Sequence, residues 1–460
     1  MKLNYRRTIL TGFAFMAISA FWQMYDTIIP LILKNSFQMG ELLTGVVMSA
    51  DNVLALFLLP IFGSLSDKTN TPIGKRKPYI LLGTLATCIA MIFIPYVDNL
   101  QNMSGGTDNM GPLIAFMCVL GLILVFMGTF RSPAVALMPD VTPRPLRSKG
   151  NAIINLTGTA GAIVTLLLSR FLVPKGDNPD YSIFFYVLIL FMIVCVAILG
   201  VTVSEDKWAR EARQTEEMHG VKDEEPEVKK SHGKLSSGEM RSLILILLSV
   251  AFWYMAYNGV TSAFSRYVGE VWPADTTGYE AAVLAENADG AATVEPEEVN
   301  YEDCLMVATV AAIISYVPIG FLASAIGRKK CILIGIVGLV LGFLYVGFFG
   351  SYHFAVNFGF VLIGVSWATI NVNSFPMVVE IASDGDVGKY TGYYYVFSMA
   401  AQVITPILSG ALLQWVSYRT LFPYAVVFSV LAFITMIGVK HGDSRPKPAK
   451  SFLENFDVDD

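Results

Sequence analysis

The sequence predicts an all-α membrane protein whose twelve transmembrane helices divide into two six-helix bundles. Three observations predict it. Of 460 residues, 54% are hydrophobic and only 15% charged, an apolar excess that ordinary soluble domains do not carry. Twelve apolar runs reach the roughly 20 residues that cross a bilayer as a helix. Lys and Arg alternate between dense and sparse along successive connections, as cytoplasmic enrichment of positive charge requires.

In chain order the runs are Thr8 to Leu33, Leu42 to Phe62, Pro78 to Val97, Leu113 to Met138, Ala152 to Val173 and Ser182 to Val203. The second six are Leu243 to Tyr267, Cys304 to Ile326, Cys331 to Phe349, Phe354 to Ile381, Tyr390 to Trp415 and Leu421 to Val439. Between the sets lies SEDKWAREARQTEEMHGVKDEEPEVKKSHGKLSSGEM, beginning at Ser204. The expected division is 1–203 for an N-terminal bundle, 204–240 for a mobile cytoplasmic linker, 241–440 for a C-terminal bundle and 441–460 for a mobile cytoplasmic tail.

With the N-terminus inside, cytoplasmic segments hold 26 of the 32 Lys and Arg, and the external side holds Lys34, Arg170, Lys175, Arg266 and Arg419. Both termini are therefore expected in the cytoplasm and the chain in the plasma membrane. The basic start and AISA (17–20) resemble a signal peptide. Apolar sequence continues past that point, so cleavage is not expected. Cys88, Cys118, Cys195, Cys304 and Cys331 lie in or beside spans without CxxC spacing and read as small apolar residues. The external loop from Val268 to Asp303 holds ten acids and no Lys or Arg, and reads as a solvated loop or a cation-concentrating entrance.

The connection after span two, GSLSDKTNTPIGKRKP (63–78), shares an order of residues with that after span eight, GFLASAIGRKK (320–330): Gly63, Asp67, Gly74 and Arg76 against Gly320, Ser324, Gly327 and Arg328. Small Gly63 lets helices approach, and Asp67 can accept hydrogen bonds from a helix N-terminus of the opposite bundle. Asp140 and Glu380, at the ends of spans four and ten, can pair with Arg76 and Arg328 to latch one conformation. Ordinary helix-end charge is the simpler alternative. The paired loops resemble the G-x-x-x-D-x-x-G-R-K loop of the major facilitator superfamily, a family of secondary transporters with the two-bundle fold.

Ionised side chains inside spans cost about 2.5 to 3.5 kcal/mol each, yet Asp26, Asp51 and Arg131 occupy spans one, two and four. Rise per residue puts Asp51 near mid-depth, Asp26 nearer the outside and Arg131 nearer the inside. Asp51 is the first candidate for a proton-carrying carboxylate, with Asp26 and Arg131 as partners. A structural Asp51–Arg131 ion pair, snorkelling of Arg131 and helix packing at Asp26 are the structural alternatives.

Asp26 shares a helical face with Ser19, Trp22 and Gln23, suited to binding hydroxyls. The second half offers neutral groups at helical spacing: Tyr254, Tyr257, Asn258, Thr261 and Ser265; Trp367, Asn371 and Ser374; Thr391, Tyr395, Ser398 and Gln402. Span five adds Asn151, Asn155 and Thr159. Amides pair with hydroxyls and rings cover apolar sugar faces, so these stripes suit an uncharged sugar. Interhelical glue is the other reading of each stripe. Pro133, Pro318, Pro376 and Pro406 bend spans where freed carbonyls can face a cavity.

SDKTNTPIGKRKPYI (66–80) with FRSPAVALMPDVTPRPLRSKGNAI (130–153) resembles the glycoside, pentoside and hexuronide cation symporters and the proton-coupled sucrose transporters within that superfamily. The resemblance implies uptake of a sugar, such as sucrose or maltose, coupled to a cation. That group's carboxylates lie on spans one, two and four; here span four offers Arg131. Asn52 stands beside Asp51 where Na⁺ would favour a second carboxylate, so H⁺ is the expected coupling ion.

No cofactor, metal site or nucleic-acid partner is expected; the partners are a small sugar and the lipid bilayer, and the chain is expected to be a monomer. His219, His232, His353 and His441 lie in loops or tails, and GxSxG and GxxxxGK[ST] are absent from the sequence, which argues against an enzyme or an ATP-driven pump. A proton-coupled drug or metabolite exporter and a non-transporting sugar sensor are the alternatives. Span five, NAIINLTGTAGAIVTLLLS, lacks the proline of exporter glycine motifs.

Overall fold

The computed structural model describes residues 3–103, 110–143, 146–174, 179–218, 236–272, 301–381 and 387–441, and among them the only regular structure is helical. The first half comprises α1 (Tyr5–Thr27), α2 (Ile29–Asn35), α3 (Glu41–Lys68), α4 (Lys77–Met103), α5 (Met110–Val141), α6 (Arg147–Leu172) and α7 (Ser182–Thr202). After α8 (Glu205–Met218) come α9 (Ser237–Val271), α10 (Tyr301–Ile326), α11 (Arg328–Gly347), α12 (Val356–Ile381), α13 (Val387–Trp415) and α14 (Leu421–Ile437). Eleven segments among the described residues, α1 with α2 counting as one, are long and apolar enough to cross a membrane. The 26-residue α10 stands where the eighth span was expected.

The first span is broken. Pro30 lies in the first turn of α2 and has no N–H to offer the carbonyl of Asp26 four residues back, so α1 ends beside that residue. The seventh span begins earlier than its apolar run, because Ser236 and Glu239 form a reciprocal capping box that carries α9 out to Ser237.

Packing repeats with an offset of six spans. Within the first half α1 packs on α6 and α7, α4 on α5 and α7, and α3 on α5. Within the second, α9 packs on α13 and α14, α11 on α12 and α14, and α10 on α12. The two main pairs that cross between halves are α3 with α13 and α6 with α10, and the same offset exchanges them; α1 and α2 also touch α9. The paired loops share backbone as well: Gly74 and Gly327, matched by sequence, both take positive φ, 114° and 93°, where a side chain would be strained.

One core cluster draws on buried residues from Ala14 to Trp208, another on Leu166 and residues from Leu243 to Val439. A third, smaller one joins Ala312, Tyr316 and Ile319 of α10 to Ala368 of α12.

The linker was expected to be mobile throughout, but its first part is the ordered helix α8. Trp208 is buried, and Arg7 lies 5.0 Å from its ring while donating to Glu211 at 2.5 Å. Glu205, 2% exposed, accepts from the backbone N–H groups of Lys75 (3.0 Å), Arg76 (2.9 Å) and Lys77 (3.0 Å) at the start of α4. Lys77 in turn donates to the carbonyls of Gly200 (2.9 Å) and Val203 (2.7 Å) at the end of α7. A carboxylate thus caps a helix N-terminus and an ammonium a C-terminus, each with the sign the helix dipole favours.

Candidate binding cavity between the halves

Three neighbouring lobes that share wall residues lie between the halves. The first, about 270 Å³, is walled by Ser19, Gln23, Asn155, Tyr257, Tyr316, Trp367 and Asn371, with Thr309 and Ala312 of α10. The second, about 200 Å³, shares Gln23, Tyr257 and Thr309 with it and adds Asp26, Asn258 and Thr261. The third, about 220 Å³, shares those last three residues and adds Trp22, Asp51, Asn52, Arg131, Ser262 and Gln402.

All three ionisable candidates therefore meet in one lobe, although their positions along the helices placed them at different depths. Asp51 accepts from Asn52 Nδ2 at 2.8 Å. Arg131 lies 5.4 Å from the Trp22 ring centroid, a cation–π arrangement, and among the described residues it forms no ion pair with Asp51 or Asp26. Asp26, at the broken end of α1, faces both the second and third lobes. Pro406 lines the third lobe beside Gln402, whose carbonyl it leaves without a helical partner. Gln402 Nε2 donates to the Ser398 carbonyl at 3.4 Å.

In the first lobe Tyr257 and Trp367 stack, ring centroids 5.4 Å apart and planes 26° from parallel, forming one aromatic wall beside Asn155 and Asn371. Tyr254 and Tyr395 are not among the lining residues: Tyr254 stacks on Trp253 at 4.1 Å and Tyr395 packs against Tyr394 and Phe375. The side chains of Asn151 and Glu380 lie outside the described residues. Thr309 and Tyr316 were missed. They are seven residues apart, on one face of an apolar helix, which was the available signal.

At the end distal to the termini the halves are tied together. Arg266 Nε donates to Glu41 Oε2 at 2.7 Å, and the Tyr418 hydroxyl donates to Glu41 Oε1 at 2.5 Å. Lys34 pairs with Glu270 at 2.7 Å and lies 4.4 Å from the Tyr418 ring centroid. Leu42 N–H donates to Gln414 at 2.9 Å, Ser169 to Glu302 at 2.8 Å, and Arg170 to Asp303 at 3.3 Å. Backbones touch here too: a Cβ on Gly45 would collide with the Pro406 carbonyl, and one on Gly410 with the Glu41 carbonyl.

At the end near the termini, Arg76 binds Asp67, donates to Asp140 at 2.9 Å and to Ser66 Oγ at 2.5 Å, and reaches the Gly63 carbonyl at 3.3 Å. The Arg76–Asp140 pair is the one anticipated. Asp67 is engaged by its own half rather than by a helix of the opposite bundle. Arg328 begins α11. The hydrogen bonds and ion pairs named above that join the halves all lie at the distal end, and they hold the halves together on that side of the cavity.

A stretch of 120 residues is 32% identical to the sucrose transport protein SUT3 of Oryza sativa subsp. japonica, covering 24% of each chain. Another of 122 residues is 27% identical to the sucrose transport protein SUC3 of Arabidopsis thaliana, covering 24% of this chain and 20% of that one. The chain thus matches about a quarter or less of the length of these relatives. Among solved structures, the nucleoside transporter NupG superposes with a TM-score of 0.65 at 14% identity, covering 94% of this chain and all of that one. The xylose transporter XylE from E. coli gives 0.60 at 14%, covering 94% of each. The family model of the Major Facilitator Superfamily matches residues 11–285 and 296–456, nearly the whole length, and the chain belongs to that superfamily.

Proposed function

We propose that this protein imports a neutral sugar or glycoside, a disaccharide such as sucrose or maltose being favoured, by proton symport through alternating access. The observation that carries the proposal is the division of labour in the cavity: neutral amides, hydroxyls and aromatic faces on one side, two carboxylates and an arginine on the other. The partial likeness to sucrose transport proteins supports the substrate class.

In this reading Asp51 takes and releases the proton, Asp26 and Arg131 set the charge around it, and Trp22, Gln23, Asn52, Asn155, Tyr257, Asn258, Trp367, Asn371 and Gln402 contact the sugar. The bundles 1–203 and 241–440 rock about the linker, with Gly63, Asp67, Arg76 and Asp140 forming one latch and Arg328 and Glu380 its second copy. With both termini cytoplasmic in the plasma membrane, the tied distal end is external and the conformation is inward-facing. Inward movement of one positive charge across 100 mV supplies about 2.3 kcal/mol, roughly fifty-fold accumulation.

Uptake of a panel of labelled sugars into proteoliposomes, with pH and Na⁺ gradients imposed separately, tests the proposal. A proton gradient should drive accumulation and a Na⁺ gradient should not. Asp51→Asn should abolish uphill accumulation while sparing exchange; full gradient-driven uptake by this variant removes Asp51 from the coupling role.

A further inference from the structure

The lobes differ in chemistry and none is large enough alone. Asp26, Asp51 and Arg131 line the second and third lobes, whereas the first is lined only by uncharged groups. Ligand pockets usually begin near about 300 Å³. Each lobe falls below that, and the three taken together, with Gln23, Tyr257 and Asn258 as shared walls, fall inside the usual range. A ligand able to use both chemistries must be long enough to reach past those shared walls.

We propose that the first lobe seats the second ring of a two-unit glycoside, and that Ala162 of α6 and Ala312 of α10 determine the ligand length it admits. The assignment rests on the sugar-import reading above and specifies which part of the cavity takes which part of the ligand. Helices α6 and α10 face each other across the halves, and both alanines line the lobe. Both helices are backed by neighbouring backbone: a Cβ on Gly161 of α6 would collide with the Met16 carbonyl of α1, and one on Gly364 of α12 with the Ala308 carbonyl of α10, so neither has slack to move away from a larger side chain. The lobe exists because these positions are small. The stacked Tyr257–Trp367 pair also lines the lobe, a flat apolar surface suited to the C–H face of a pyranose. One ring of the ligand lies against it while the other reaches Asp26 and Asn52.

The test is proton-driven uptake into proteoliposomes by wild type, Ala312→Leu and Ala162→Leu. Each is offered a methyl glycoside and a disaccharide built on the same glycosyl unit. Filling the lobe should raise KM for the disaccharide by about 10- to 200-fold and leave KM for the methyl glycoside unchanged. Equal loss for both ligands, or for neither, overturns the assignment. Ile313→Ala, which removes volume from the same wall, should admit a three-unit glycoside that wild type rejects. Its failure to do so overturns the assignment even where the Leu variants do not fold. Wild-type inactivity toward every sugar instead overturns the sugar reading itself.

Discussion

Replacing Glu41 by Gln removes one charge from the distal contacts while keeping the side chain's shape. Glu41 and Arg266 are each 4% exposed, so solvent screening does little for either. Removing one partner of a buried ion pair costs about 3–5 kcal/mol, chiefly because the other charge is left buried and uncompensated. Gln retains an acceptor for Tyr418, and Arg266 keeps its bond to the Ser262 carbonyl at 3.0 Å, so the lower figure, about 3 kcal/mol, applies. That penalty exists only while the distal end is closed, because opening returns Arg266 to water. It is worth a factor of about 150 in the conformational equilibrium; a protein 99:1 in favour of the closed distal end would become close to evenly divided. Spin labels at Phe171→Cys and Val416→Cys, exposed positions at the distal ends of the two halves, report the distance between them. Glu41→Gln should add a second, longer distance population, and the double variant Glu41→Gln with Arg266→Gln should reverse most of the change because no buried charge remains. An unchanged distribution in the single variant would refute the reasoning.

Glu205→Ala leaves three N–H groups at the start of α4 without their acceptor and should lower stability by about 1–3 kcal/mol, seen as an earlier thermal unfolding transition of the purified protein. Asp is too short to reach and should not restore it. Trp367→Ala removes half of the stacked aromatic wall and should weaken sugar binding by about 1–3 kcal/mol, about 5- to 150-fold in KM, with the proton dependence of uptake retained. Loss of coupling at unchanged affinity would place Trp367 outside the sugar site.

The spans, the two halves and the charged lobe were legible because they follow from local composition: a bilayer demands long apolar runs, and an ion inside one stands out. Pairing of the loops was legible for a related reason, since a glycine at positive φ leaves its mark as Gly74 and Gly327. The cavity wall was only partly legible. The stripe Tyr254, Tyr257, Asn258, Thr261 and Ser265 covers a broad helical face, and the cavity takes Tyr257, Asn258 and Thr261 while Tyr254 turns toward Trp253. Which edge of a stripe faces the cavity depends on neighbouring helices, which periodicity does not see. Glu205 with Arg76, and Glu41 with Arg266 and Tyr418, are contacts between residues more than a hundred positions apart. Glu205 entered only as part of the linker, Lys34 and Arg266 only as external positive charge, and Glu41 and Tyr418 not at all. Pro30 was visible; the length of the apolar run around it concealed the break.

The two ends of the molecule differ in a way that makes the latch separable from mere loop stability. The distal contacts cross between halves, whereas Arg76, Asp67, Asp140, Ser66 and Gly63 all belong to the first half. The Asp67 side chain is 59% exposed, so its pair with Arg76 contributes at most about 1 kcal/mol in this conformation, and Arg76 keeps Asp140 when Asp67 is removed. Any shift larger than fivefold in the conformational equilibrium on Asp67→Ala must therefore arise in the opposite conformation, where the loops approach the other half. As a latch residue Asp67 should give such a shift, toward the distally closed state, measured by accessibility labelling of single cysteines at the end near the termini. A lower unfolding temperature with unchanged accessibility would instead make Asp67 a loop residue. The Asp140→Ala variant then becomes the sharper probe, because Asp140 accepts from both Arg76 and Lys75 (3.1 Å) and is the less exposed of the two acids.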